Sequence, residues 1–153
     1  HTRDAASTPF RLLDMGVPAF MLATSLQGVI AQRLVRGNCS HCSEPQELSP
    51  QQEAWLQGVL GEARAQVRPL RGRGCAACNH TGTQGRRGLY EMLEMDTDLV
   101  RAATQADAGQ FLGLARQRMQ GHTLMDHALA LVAQGAIPLG EAMRVASDLD
   151  SGS

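Results

Sequence analysis

The sequence predicts a mixed α/β fold that carries a small metal-binding lobe and ends in a group of helices. Two segments have strand character: Val29–Val35 is short, apolar and β-branched, and Gly88–Met95 alternates in polarity. Two Cys-x-x-Cys pairs lie between these segments. Beyond residue 95, apolar residues recur at helical spacing to about residue 146.

The N-terminal part is predicted to contain two helices that lead into the first strand. Residues 1–17 form a loop and a short helix, and residues 18–26 form a second helix that ends near Gly28. The apolar stretch Met15–Ala31 contains proline and glycine and is shorter than the roughly 20 apolar residues of a membrane span. We therefore expect a buried helix and strand in this stretch.

The four cysteines are the only ones in the chain: Cys39 pairs with Cys42, and Cys75 with Cys78. Two residues between thiols let a short turn direct both sulfurs to one point. Two such turns form the tetrahedral sulfur site that structural zinc prefers. The sequence therefore predicts a zinc ion held by Cys39, Cys42, Cys75 and Cys78.

Other states of these thiols stay open. Disulfides fit poorly because the sequence shows no secretory leader, and a redox Cys-x-x-Cys normally needs one pair beside a strand–helix turn. His41 and His80 flank the pairs and could replace a sulfur. Because four cysteines already complete a tetrahedral set, we expect neither histidine to be a ligand.

The segment between the two pairs predicts a small helical lobe. Ser49–Gln52 has the form of a capping box with proline at the first helical position. The following apolar residues share one helix face, and Trp55 is expected to anchor the lobe: Trp55, Leu56, Val59 and Leu60.

No acidic residue occurs from Ala63 to Tyr90, a stretch that carries six arginines: Arg64, Arg68, Arg71, Arg73, Arg86 and Arg87. They would offset the charge of about −2 on a zinc tetrathiolate. The alternative is a docking surface for acidic lipid, phosphate or an acidic partner. The chain contains no lysine, which excludes every mechanism that needs a lysine from this chain.

The last third is predicted to be helical. The four predicted helices cover about 96–104, 107–119, 123–133 and 138–146, with Asp107 as a cap and with Gly121 and Gly135 at helix ends. His122 and His127 are expected at a cap or on the surface.

The residues from Gly74 to Glu91 resemble the signature G-C-x-x-C-x-x-T-G-x-x-G-R-x-G-(I/V/L)-Y-E of the secretion and type IV pilus assembly ATPases. Arg11–Gly16 and Leu26–Arg36 resemble the R-L-x-D-M-G and L-x-G-V-L-A-Q-R-L-V-R segments of that family. His1-Thr2 resembles the start of its His box. The last third, with Tyr90-Glu-Met-Leu-Glu-Met95 and Gly121-His-Thr-Leu124, is most similar to the extension ATPase of the mannose-sensitive haemagglutinin pilus.

The resemblance implies a bacterial, cytoplasmic, hexameric ATPase with a RecA-like fold, which drives pilus or pseudopilus assembly at an inner-membrane platform protein. This chain would be its C-terminal end. ATP and Mg²⁺ would bind in the intact protein, upstream of this chain, so the chain alone is expected to be inactive. His1 would sense the nucleotide phosphates, although Arg3 stands where the family usually has asparagine.

The implied domains are the end of the motor domain (1–37), the zinc subdomain (38–87), a strand that returns to the motor sheet beside Val29–Val35 (88–95), a helical subdomain (96–147) and a disordered tail (148–153). The alternative function is a stand-alone zinc-binding module for a partner, for nucleic acid or for chaperone work. Few aromatic residues and a net charge of −1 argue against nucleic acid. A thiol oxidoreductase is a third possibility.

Overall fold

The computed structural model describes residues 2–105 and 107–150. Seven helices lie in this part of the chain: α1 Thr8–Asp14, α2 Ala19–Ser25, α3 Pro50–Leu60, α4 Thr97–Thr104, α5 Ala108–Arg118, α6 Leu124–Ala133 and α7 Leu139–Asp150. The strands are β1 Gly28–Asn38, β2 Ser43–Pro45, β3 Leu70–Gly72 and β4 Thr83–Glu94. The mixed α/β class is therefore confirmed.

Strands β1 and β4 pair with each other, as the resemblance implied. The start of β1 lies beside the end of β4, at Gly28 and Leu93, and Gly37 lies beside Gln84, so the strands are antiparallel. On β4, Leu89, Glu91 and Leu93 are buried while the residues between them are exposed. Both strands are longer than predicted, because their mutual pairing extends into glycine- and arginine-rich sequence that lacks strand character.

The predicted helices are confirmed, with one correction at the C-terminus. Helix α7 continues to Asp150, so the predicted disordered tail is wrong for residues 148–150. No glycine or proline interrupts this turn, and the half-buried Leu149 extends the apolar face of Leu139 and Val145. Residues 151–153 lie outside the described residues.

The chain forms two compact units. One comprises the described residues within 1–33, 89–127 and 148–153, and the other comprises residues 34–88 and 128–147. In the first unit, the rings of Phe10 and Phe111 meet edge to face with their centroids 5.2 Å apart. The units divide the predicted helical subdomain (96–147) between them, and the predicted domain boundaries stay predictions.

No helix within residues 2–105 and 107–150 is long and apolar enough to cross a membrane. The apolar stretch Met15–Ala31 forms α2 and the beginning of β1, so the predicted helix and strand are present. The predicted burial of the helix is wrong: Leu22 is buried, whereas Phe20 and Met21 are 65% and 50% exposed, because a seven-residue helix places only a narrow face against the rest of the unit.

Candidate metal centre

The two Cys-x-x-Cys pairs meet at one point in the second unit. Cys39 follows β1 and Cys42 precedes β2. Cys75 precedes a short 3-10 turn, Ala76–Cys78, and Cys78 ends it. All four sulfurs lie within 4.8 Å of one another. The structure therefore assembles one four-sulfur cluster from residues up to 39 positions apart in the sequence.

The spacing of the sulfurs fits a tetrahedral ion. The Sγ–Sγ distances are 3.9 Å for Cys39–Cys75, 3.9 Å for Cys42–Cys78 and 3.8 Å for Cys75–Cys78. Zinc–sulfur bonds of about 2.3 Å require tetrahedral edges of about 3.8 Å. A disulfide needs about 2.05 Å, so the disulfide alternative does not apply to these four free thiols.

The second Cys-x-x-Cys turn is preorganised for a thiolate. The backbone N–H groups of Cys75 and Gly82 each donate to the Cys78 sulfur at 3.2 Å. These bonds lower the pKa of Cys78 to about 6, with the Cys75 N–H as the largest cause. Burial instead raises the pKa of Cys42 to about 12, so that thiol needs a bound cation to ionise at neutral pH.

Short-range hydrogen bonds hold the same turn in shape. Asn79 and His80 adopt left-handed backbone conformations, and the His80 N–H donates to the Cys75 carbonyl at 2.8 Å. The Thr81 hydroxyl donates to the Cys78 carbonyl at 2.7 Å. His41 and His80 are exposed, and the cluster found among the described residues consists of cysteines alone.

A small two-stranded antiparallel sheet links the two turns, with α3 in the connection between its strands. In it, β2 pairs with β3 so that Ser43 faces Gly72, and the Arg73 N–H donates to the Cys42 carbonyl at 3.1 Å. The sequence gives no signal for strands of only three residues. Helix α3 begins with the predicted capping box, in which Ser49 and Gln52 bond each other's backbone N–H groups.

The predicted anchor of this lobe requires a correction. Leu56 is fully buried, whereas Trp55 is half-buried and Val59 is exposed. An 11-residue helix on a small lobe has only a narrow contact face, and Leu56 occupies it.

One of the six arginines has a local role. Arg64 binds the two carboxylate oxygens of Glu53 at 2.8 and 2.6 Å and donates to the Val67 carbonyl at 2.7 Å. This bond lowers the pKa of Glu53 and raises that of Arg64. The other five arginines are exposed, and their role as a docking surface stays a prediction.

Two polar residues outside the cluster connect secondary structures of the first unit. Glu91 is a buried carboxylate on the apolar face of β4. His127 is half-buried, and its Nδ1 accepts the Tyr90 N–H at 3.0 Å, a contact that the sequence does not predict. His122 is exposed as predicted. His1 lies outside the described residues.

The chain combines a tetracysteine cluster, placed between two paired strands in the sequence, with helices that follow the second strand. This is the arrangement that the resemblance to the secretion and pilus assembly ATPases implies. A model of the family described as type II/IV secretion system protein matches residues 1–144. The type II secretion system ATPase E of Vibrio cholerae is 36% identical over 151 residues, which cover 97% of this chain and 29% of that protein. The type IV pilus assembly ATPase PilB of Thermus thermophilus is 35% identical over 144 residues, or 94% of this chain and 16% of that protein.

The chain belongs to the type II/IV secretion system protein family, and the resemblance inferred from its motifs is confirmed. It spans less than a third of the length of these two relatives.

Proposed function

We propose that this chain is the C-terminal part of an ATPase that powers the assembly of a type IV pilus or a type II secretion pseudopilus. The observation that carries the proposal is the family match over residues 1–144, supported by relatives named as secretion and pilus assembly ATPases. The likeness of the last third to the extension ATPase of the mannose-sensitive haemagglutinin pilus favours that pilus as the filament.

The cysteine cluster would hold a structural zinc ion through Cys39, Cys42, Cys75 and Cys78. Four sulfurs leave no coordination position for water or substrate, which is the pattern of a structural site rather than a catalytic one. When bound, zinc would supply the cross-link that holds the two turns together. The chain's own contribution is to bury the thiols and to direct backbone N–H groups at Cys78.

The chemistry of ATP hydrolysis would lie elsewhere in the intact protein. Enzymes of this class hold the nucleotide phosphates with a P-loop lysine and position Mg²⁺ with a hydroxyl and acidic residues. This chain has no lysine and therefore no P-loop, so it would be inactive alone. His1 would contribute to phosphate sensing in the intact protein.

The intact protein would work as a cytoplasmic hexamer at an inner-membrane platform protein. The exposed arginines of the second unit provide a surface for an acidic partner or acidic lipid: Arg68, Arg71, Arg73, Arg86 and Arg87. No nucleic acid is expected as a partner.

The test compares the purified intact protein with the isolated chain. We expect Mg²⁺-dependent ATP hydrolysis by the intact protein, none by the chain, and about one zinc ion per chain in both by elemental analysis. An intact, folded and zinc-loaded protein that does not hydrolyse ATP would overturn the motor assignment. A folded protein without bound zinc would overturn the metal assignment.

A further inference from the structure

Glu91 is a buried carboxylate that joins two distant segments of the first unit. Its Oε1 accepts the backbone N–H of Ala5 at 2.6 Å, and its Oε2 accepts the backbone N–H of Leu124 at 2.8 Å. The Glu91 residue is only 5% exposed, and both Ala5 and Leu124 are fully buried. Each carboxylate oxygen thus accepts one hydrogen bond. One donor, Ala5, precedes β4 in the sequence, and the other, Leu124, follows it.

The segment Thr2–Ala5 has a second attachment on the neighbouring strand. Arg33 Nη2 donates to the carbonyl oxygens of Thr2 at 3.1 Å and Arg3 at 2.7 Å. The segment is therefore held by a cation on β1 through its carbonyl groups and by an anion on β4 through an N–H group. Arg33 thus bonds carbonyl oxygens of this segment, and Glu91 bonds one of its N–H groups. Hydrogen bonds to charged side chains are the stronger kind.

A buried carboxylate cannot lose a donor cheaply. A buried oxygen that loses its hydrogen-bond donor is left without a partner and bears the full cost of its removal from water. If the Ala5 N–H left Oε1, water would have to enter or the carboxylate would have to turn toward another donor. Either change would disturb the bond from the Leu124 N–H to Oε2 of the same group.

We propose that Glu91 is a positioning residue that couples the Thr2–Ala5 segment to the start of α6, and that Arg33 holds this segment on the sheet. The functional consequence rests on the proposed function: Thr2 follows His1, and Glu91 would transmit a nucleotide-dependent shift of this segment to α6. The bond from Tyr90 N–H to His127 Nδ1 gives β4 and α6 a second link in the same unit.

Hydrogen exchange measured by mass spectrometry on the intact, zinc-loaded protein tests the coupling. A non-hydrolysable ATP analogue should change exchange in both the peptide that covers residues 2–8 and the one that covers residues 122–127. Glu91→Gln keeps the shape of the side chain but replaces one acceptor oxygen with an amide NH₂ group, which can only donate. In this variant, exchange of both peptides without nucleotide should rise about tenfold or more. The analogue should then change only the first peptide.

Glu94→Gln is the matched control, because Glu94 lies on the same strand with an exposed side chain. It should leave both peptides and the ATPase rate unchanged. Glu91→Gln should lower kcat about tenfold with KM changed less than twofold. Arg33→Lys should raise exchange in the peptide 2–8 and, through Glu91, by a smaller factor in the peptide 122–127, which keeps the test valid if Glu91→Gln loses zinc or folds poorly. A rise confined to the peptide 2–8 would overturn the coupling.

A wild-type protein in which the analogue changes neither peptide, or only one, would overturn the coupling. So would a Glu91→Gln protein in which both peptides still respond together, or in which kcat is unaltered. If the wild-type protein does not hydrolyse ATP, the proposed function fails, while the exchange of Glu91→Gln without nucleotide still tests the shared role of the carboxylate.

Discussion

Gly72 and Gly82 lie backbone against backbone in the metal lobe, close enough that neither position has room for a side chain. A Cβ atom on Gly72 would lie 2.7 Å from the Gly82 Cα, and one on Gly82 would lie 2.8 Å from the Gly72 carbonyl carbon. Gly82 also has φ of +75°, which side-chain-bearing residues rarely adopt. This contact places β3 directly against the turn whose N–H group bonds the Cys78 sulfur.

Substitution of either glycine by alanine should destabilise the metal lobe. The added methyl group meets backbone rather than a mobile side chain, so we expect a loss of about 1–3 kcal/mol. Urea unfolding of the zinc-loaded protein measures this loss. Gly58→Ala is the matched control, since nothing lies within 4 Å of its Cβ position in α3. It should stabilise the protein by about 0.5–1 kcal/mol. Equal effects at the three positions would contradict the close contact.

Loss of one cysteine sulfur should release the metal. In Cys39→Ser, the hydroxyl is a poor zinc ligand, so we expect loss of bound zinc and rapid proteolysis within residues 38–87. His41→Ala should keep about one zinc ion per chain, because His41 is exposed and the sulfur cluster is complete without it. Elemental analysis and limited proteolysis provide the two measurements. Zinc retained by Cys39→Ser, or lost from His41→Ala, would refute the assigned ligand set.

The cap of α4 should make stability depend on acid pH. Asp96 Oδ1 accepts the N–H groups of Leu99 and Asp98, and its Oδ2 binds Arg118. The Leu99 N–H, followed by Arg118, lowers the pKa of Asp96 below its ordinary value of 3.8. Its contribution is therefore fully present above pH 3.8 and is lost as the pH falls through the lower folded-state pKa.

Asp96→Ala should cost about 0.5–2 kcal/mol at neutral pH through loss of the cap. Asp96→Asn keeps a capping oxygen and removes the charge, so its smaller deficit relative to wild type should vanish in strong acid. Urea unfolding between about pH 2 and pH 7 provides the comparison, because these limits lie below and above the ordinary pKa of Asp. A deficit of Asp96→Asn that grows toward low pH would contradict this assignment.

The sequence predicts the features whose cause is local. The structure contains three features that follow from spacing within a few residues: each Cys-x-x-Cys turn, the capping box at Ser49, and the alternation of Leu89 and Leu93. The paired strands β1 and β4 follow from the family resemblance rather than from the pattern alone.

The features that the sequence does not predict depend on residues far apart in the chain. Glu91 looks like a polar residue misplaced on an apolar strand face until Ala5 and Leu124 supply its donors from 86 and 33 residues away. The strand β2 consists of three residues and exists through its pairing with β3. Leu56, not Trp55, is the buried anchor, because the packing of α3 decides which side chain enters the core and residue size does not.

The side-chain amide of Asn38 holds two segments of the second unit together. Its Nδ2 donates to the carbonyl oxygens of Leu70 at 3.1 Å and Gly135 at 3.0 Å, and its backbone N–H donates to Ala136 at 2.9 Å. Asn38→Ala leaves two carbonyl groups without these donors, so we expect a loss of about 1–3 kcal/mol.

Asn38→Asp separates the role of the amide from that of side-chain volume. It keeps nearly the same shape but places carboxylate oxygens against two carbonyl oxygens, so it should destabilise the protein at least as much as Asn38→Ala at pH 7. Protonation of the new carboxyl restores one donor, and this deficit should shrink as the pH falls through its raised pKa. Urea unfolding of both variants at pH 7 and at about pH 4.5 measures the difference. An Asn38→Asp protein as stable as wild type at pH 7 would show that the amide donors do not hold these segments.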